Sequence, residues 1–366
     1  MVAEKIEQYQ FSSSIHRPTT VNRLRFNSDH ELQAHLLTGV SRTFALTIPQ
    51  LPPKLADAVT NAYLLCRIVD TIEDEPTLSS TQKHYFCQRF INVVAGQSPP
   101  EQFAAELTPQ LSNRVLPTER ELIEHTPQVI GITQRLNQQQ QEAIFCCVQQ
   151  MAQGMVEFQQ TGSLHGLHDL PHLDRYCYYV AGIVGEMLTK LFCDYSAEIA
   201  QHRSALMKLA VSFGQGLQMT NILKDIWDDQ QRGICWLPRD IFNHAGFDLQ
   251  ELAATRYRHS FGQGLTQLIG IAQGHLQNAL TYTLMIPRHE TGLRRFCLLA
   301  LGMAVLTLRK LNKHRDFRSG SQVKISRRSV KATVLTSRLT ASHDSLLKTL
   351  FYLASIGLPT PPHSGS

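Results

Sequence analysis

The sequence predicts a single all-α domain, a bundle of long helices around a central cavity. Three observations predict it. Apolar residues recur at three- and four-residue intervals over long stretches, as with Ile144, Val148, Met151 and Met155. No run alternates apolar and polar residues as a half-buried strand would. Acidic clusters of like design lie on both sides of the proline-rich stretch 96–133, which argues against a domain boundary there.

Taken in order, residues 1–28 are polar, with Ser12, Ser13, Ser14 and Pro18, and read as an extended arm. A first helix is predicted over 28–39, capped by Ser28 or Asp29. Pro52 and Pro53 open a long helix that runs through Asp74 and is ended by Pro76. An amphipathic helix follows over 79–94. Pro99, Pro100, Pro109, Pro117 and Pro127 then keep the helices of 96–133 short. Further helices are predicted over 138–161, 176–192, 199–227, 262–285 and 292–314, with a break at Trp236-Leu237-Pro238. A basic loop, 315–328, leads to a last helix over 329–356. The tail 357–366 is too rich in Pro and Gly to be structured, so the domain is expected to span 29–356.

Composition narrows the function classes. Hydrophobic residues make up 43% and charged residues 18% of the 366, enough for a substantial core and too apolar for a disordered chain. The net charge of +5 is spread without a basic block, which argues against nucleic acid as a partner. Eight cysteines show no CxxC spacing and sit mostly in apolar helical runs, so they read as reduced core thiols of a cytosolic protein. The first residues lack the basic and apolar regions of a signal peptide. No uninterrupted apolar run reaches the roughly 18 residues of a spanning helix. A cytoplasmic protein, at most peripheral to a membrane, is expected.

Asp225, Asp228 and Asp229 fall within five residues on one helical stretch and project from nearly one face. Asp70, Glu73 and Asp74 repeat the design. Like charges at this spacing repel, and a hard divalent cation would offset the cost. Acidic residues on helices are most often a solvated face, but these are embedded among apolar neighbours such as Ile68, Val69, Ile222 and Leu223. Neither cluster offers His or Cys at zinc spacing. Magnesium takes one or two carboxylates plus substrate phosphates, so two such clusters suggest a diphosphate site between facing helices. Arg42, Arg67, Lys224 and Arg232 lie near them, as phosphate ligands or simply as partners of nearby carboxylates. Gln218 and Asn221 precede Asp225 by seven and four residues, a polar stripe that suggests a lined cavity. Ala181, Gly182 and Gly185 permit close approach, by another helix or by a long apolar ligand.

In these motifs the chain resembles the squalene and phytoene synthases, head-to-head prenyl transferases with DxxED and DxxxD motifs on facing helices. The matches are Asp70-Thr71-Ile72-Glu73-Asp74 and Asp225-Ile226-Trp227-Asp228-Asp229, where the family pattern requires only Asp225 and Asp229 of the second. Agreement extends to Ser41-Arg42-Thr43-Phe44, to the run from Tyr176 to Gly182, and to the run from Gln218 to Asp225. Phe296-Cys297, Met303 to Leu308, Phe317 and Val323-Lys324-Ile325 are more similar to the squalene synthases of the family than to its phytoene or dehydrosqualene synthases. Together these cover residues from about 35 to 330. Two departures stand out: Ala300 replaces a usual proline, and Ser326 stands where arginine is common, with Arg327 next to it.

The resemblance implies an isoprenoid-synthase helical bundle acting as a farnesyl-diphosphate farnesyltransferase. Two farnesyl diphosphates would condense to presqualene diphosphate, which would be reduced to squalene, with Mg2+ and NADPH as cofactors. It implies metal ligation by Asp70, Glu73, Asp74, Asp225 and Asp229. Tyr176 would take part in proton removal, and Phe44 and Phe296 would line a water-excluded pocket. The implied substrate contacts are Ser41, Arg42, Tyr63, Arg67, Val180, Val184, Gly185, Leu188, Gln218 and Asn221; those to NADPH are Lys324, Arg327 and Asn221. A monomer of bacterial type, without the C-terminal anchor of eukaryotic members but with peripheral membrane contact for product release, is the corresponding expectation. The rival readings are a dehydrosqualene- or phytoene-type synthase that lacks the reductive step, a terpene cyclase or head-to-tail prenyltransferase, which use other acidic patterns, and a non-catalytic helical scaffold whose carboxylates are surface charge.

Overall fold

The computed structural model describes residues 26–159, 163–252 and 259–360; most of the predicted N-terminal arm, residues 1–25, lies outside the described residues. No β-strand occurs among the described residues, and Leu167 and Pro238 form an isolated bridge. Helices of eight residues or more are numbered below.

Local signals start the first helices. The Ser28 hydroxyl accepts from the Glu31 amide at 3.2 Å and caps α1, Asp29–Val40. Pro53 occupies the first position of α2, Pro53–Asp74, where its missing N–H costs nothing. Ser79 and Gln82 form a capping box at the head of α3, Ser80–Val94. The proline-rich stretch becomes α4, Pro100–Leu107, α5, Pro117–Glu124, and α6, Thr126–Arg135, each with proline in its first turn. The long helix α7, Gln138–Gln159, follows.

Three predicted helices differ in detail. The 176–192 helix is part of a longer element that begins as α8, Leu170–Cys177, where the Asp169 side chain accepts from the His172 amide. It widens into a π-turn, Tyr178–Gly182, before α9, Ile183–Tyr195. The 199–227 helix divides at Gln201 and His202 into a short turn and α10, Arg203–Gln231, which carries the whole second acidic cluster. After α11, His259–Met285, and α12, Thr291–Lys313, the predicted final helix is two: α13, Arg327–Thr340, and α14, Asp344–Ser355. The division follows from Arg294 of α12, which donates to the Ala341 carbonyl at 3.0 Å and to Asp344 at 2.7 Å and so holds the chain in a turn. The tail expected to be unstructured from residue 357 begins with packed residues. Asn312 donates to the Gly357 carbonyl at 2.8 Å, and Leu358 lies against the core.

Apolar faces meet in two cores. One gathers α2 and α7 through residues such as Leu64, Ile68, Ile144 and Val148. The other gathers α10, α11 and α12 through Ile226, Leu276 and Leu308. Phe213 of α10 packs against both. By length and composition α12 alone among the described residues qualifies as a membrane-crossing helix, but 61% of its apolar window is buried in the protein, as in a core helix. All eight cysteines are free thiols, as expected.

Candidate active site

The C-terminal ends of α2 and α10 bring the two acidic clusters within reach of one side chain. Arg232, just beyond α10, pairs with Asp229 and also reaches Asp74 at 3.7 Å. Its neighbours differ in exposure: Asp229 is 7% exposed, Asp70 29% and Asp225 33%. Burial pushes Asp70 up to about 7, against the pull of Arg67, with Asp74 adding repulsion. Glu73 is also pushed to about 7 by burial and by Asp74, although Lys83 opposes the shift. Burial raises Asp229 as well, and the hydrogen bond from Arg232 offsets part of it. Burial and mutual repulsion make these carboxylates costly to ionise together, and a bound cation would relieve that cost.

The cations present are already engaged. Arg67 lies 3.7 Å from Asp70 and pairs with Glu119 of α5, which also accepts from the Leu116 amide at 3.3 Å. Lys224 lies 3.1 Å from Asp225 and donates to Asn221 at 3.3 Å. In this structure Arg67 and Lys224 each have a carboxylate partner. Glu119 was missed in the sequence, where it carries only the signal of an acidic residue in a first turn. Arg42 is exposed. Among the described residues, no three His, Cys, Asp or Glu side chains converge closely enough to hold a metal ion by themselves. Asp70, Glu73 and Asp74 on α2 and Asp225 and Asp229 on α10 are the carboxylates that would hold a magnesium ion, its remaining ligands coming from water or substrate oxygens.

Aromatic residues wall the site. Tyr63 packs its ring 4.7 Å from that of Phe44, and burial raises its hydroxyl pKa against the pull of Ser41 and Arg67. Tyr176 stacks on Trp236, with ring centres 4.0 Å apart and planes 11° apart, and meets Phe158 edge-on. Burial raises the Tyr176 pKa well above 10, and the charges of Glu73, Asp229 and Asp74 add to the shift, so this phenol stays protonated at neutral pH. Trp236, read in the sequence only as part of a chain break, supplies its stacking surface.

The remaining candidates divide. Val180, Val184 and Leu188 are half-buried, and the last two pack on the first core beside Phe44 and Tyr63. Phe296 is buried in that core, edge-on to Phe192 with ring centres 6.1 Å apart. Gly185 serves helix packing. A methyl there would overlap the Ala210 carbonyl of α10, just as one at Gly214 would overlap that of Ala181, so the close approach that these small residues permit is made by a helix. Gln218 is half-buried and Asn221 exposed, so the polar stripe opens outward as it nears Lys224.

The basic segment after α12 closes onto the second cluster. A side chain at Gly320 would begin 3.1 Å from Asp228 and 3.2 Å from Asp225, so these carboxylates would have to shift by a few tenths of an ångström to admit one. Lys324 and Arg327 are exposed beyond it, and Lys310 donates to the Lys324 carbonyl at 2.6 Å. The two departures have local reasons. Ser326 is the cap of α13, accepting from the Ser329 amide at 3.1 Å, and Ala300 lets α12 run unbroken for 23 residues.

Comparison with known proteins identifies the family. The family model for squalene/phytoene synthase matches residues 37–329. The chain is 29% identical over 277 residues to a squalene synthase of Eremothecium gossypii, covering 75% of this chain and 60% of that protein. It is 28% identical over 315 residues to a squalene synthase of Candida albicans, covering 83% and 66%. It thus spans somewhat less than two thirds of the length of these relatives. Among solved structures, a TcSQS complex with the ligand BPH1237 is 25% identical and superimposes with a TM-score of 0.70 over 89% of this chain and 91% of that one. A dehydrosqualene synthase, 18% identical, shares the fold with a TM-score of 0.64 over 88% and 97%. The chain belongs to the squalene/phytoene synthase family.

Proposed function

We infer that the chain condenses two farnesyl diphosphates head to head, through presqualene diphosphate, and that it reduces this intermediate to squalene with NADPH. The observation that carries the reading is the approach of the two acidic motifs, spanned by Arg232 between Asp74 and Asp229. Family membership supports the prenyl diphosphate substrate.

In this reading Asp70, Glu73, Asp74, Asp225 and Asp229 would hold magnesium, which would stabilise negative charge on the diphosphate as it leaves. Arg42 and Lys224 meet the diphosphate oxygens. Arg67, through Glu119 and Asp70, keeps α2 oriented toward them. Closing the cyclopropane of presqualene diphosphate releases a proton, and the Tyr176 hydroxyl relays it to the departing diphosphate. Phe44, Val184 and Leu188 exclude water from the carbocation, which water would otherwise capture as an alcohol. Lys324, Arg327 and Asn221 would hold NADPH, which would supply the hydride, and the exposed cations at 324 and 327 suit its phosphates.

The test is incubation with farnesyl diphosphate and magnesium, with and without NADPH, followed by lipid analysis. Squalene that appears only with NADPH is the expected result. One product regardless of NADPH would refute the reductive step, and no release of diphosphate would refute the enzymatic reading altogether.

A further inference from the structure

Among the described residues ten large apolar side chains are exposed, and six of them sit on α13 and α14 or just after them. These are Leu335, Leu339, Leu346, Tyr352, Leu353 and Ile356, each between 44% and 69% exposed. Leu335 and Leu339 are four residues apart and share one helical face; Leu346 and Leu353 are seven apart and share another. Apolar side chains scattered singly need no explanation, but six concentrated on two consecutive helices mark a surface that meets something apolar.

The same two helices are strongly basic. Residues 327–356 contain Arg327, Arg328, Lys331, Arg338 and Lys348 against a single carboxylate, Asp344, so most of the net charge of +5 resides there. All five cations are exposed. Asp344 is itself engaged by Arg288 at 2.8 Å and Arg294 at 2.7 Å, which removes its repulsion from the surface. Beside the patch a cavity of about 290 Å³ opens between α11 and α14, with Leu280, Leu284 and Phe351 in its wall and Lys348 and Tyr352 at its edge.

We propose that α13 and α14 form a docking surface for an anionic lipid bilayer, with the leucines and Tyr352 entering the interface and the cations meeting the headgroups. Exposed apolar side chains interleaved with Lys and Arg are the chemistry of helices that lie in a membrane surface. A second copy of the chain fits the face poorly, because a twofold contact would set its cations against their own equivalents. The inference rests on surface chemistry and is independent of the reaction proposed above.

The test is sedimentation of the full chain with vesicles of phosphatidylcholine alone and of phosphatidylcholine mixed with phosphatidylglycerol. Binding is expected to the mixed vesicles, to weaken with salt, and to be slight on the neutral ones. The double variant Lys331→Gln/Arg338→Gln should weaken it roughly 25-fold, at about fivefold per cation. Leu335→Ser/Leu339→Ser should weaken it at unchanged charge, and unchanged circular dichroism would show that both variants fold. Absence of binding to mixed vesicles, or equal binding by both variants and the parent, would overturn the proposal. So would a dimer that Leu335→Ser/Leu339→Ser dissociates in a chain that ignores vesicles, since the face would then be a self-contact.

Discussion

Replacing Arg294 with Met should cost the fold about 4 kcal/mol, although no charge would remain exposed or buried alone at that position. The arginine side chain is 1% exposed and stands where α12 passes the end of α11 and the turn between α13 and α14. Its Nε donates to the Ile286 carbonyl at 2.8 Å, and its two terminal nitrogens donate to Ile286 at 2.5 Å, Leu284 at 3.1 Å, Ala341 at 3.0 Å and Asp344 at 2.7 Å. Methionine fills similar space but donates nothing, so three carbonyls and half of a carboxylate lose their donor. A buried acceptor left without a partner costs about 1–3 kcal/mol. Asp344 keeps Arg288 and is 22% exposed, so its share is small and the carbonyls dominate. The sum is a large part of the roughly 5–15 kcal/mol that holds an ordinary domain together. Urea denaturation followed by circular dichroism measures it. Arg294→Lys should recover less than half of the loss, because an ammonium cannot present a planar fork to acceptors on three segments. A Met variant within about 1 kcal/mol of the parent would refute the claim that this side chain sets the α13–α14 turn.

Three further outcomes are expected. Gly214→Ala should lower stability by about 1–3 kcal/mol, seen in calorimetry, because its methyl meets the Ala181 backbone, which cannot swing aside. In Tyr176→Phe the ring still stacks on Trp236, so the fold should persist while formation of presqualene diphosphate falls by roughly 10²–10⁴; near-parental turnover would remove the hydroxyl from the mechanism. Burial tends to raise the Asp344 pKa, but hydrogen bonds from Arg294 and Arg288 win and hold it below the ordinary 3.8. A pKa depressed by folding contributes stability above the unfolded value and loses it as pH falls through the folded one. The difference in urea midpoint between the parent and Asp344→Asn should therefore be full at neutral pH and shrink below about pH 4.

The helices were legible in the sequence wherever a local rule sets them. Ser28, Pro53 and the Ser79–Gln82 box start helices within one residue of the predicted positions, because a cap acts on the turn that carries it. The π-turn at Tyr178–Gly182 was hidden, since its apolar spacing differs too little from that of an α-helix over five residues. The break at 341–343 was hidden for another reason: what turns the chain there is an arginine 47 residues earlier.

The candidate site divides in the same way. By itself the sequence determined the two acidic motifs, the faces they occupy and the stripe from Gln218 to Asp225, because spacings of three, four and seven residues fix which side chains share a helical face. Only the tertiary structure decided that Arg232 would span Asp74 and Asp229, that Glu119 would hold Arg67, that Trp236 would back Tyr176, and that Gly185 would serve a helix crossing. A lone arginine, glutamate or tryptophan carries no period, and its partner lies wherever the packing of distant helices brings it.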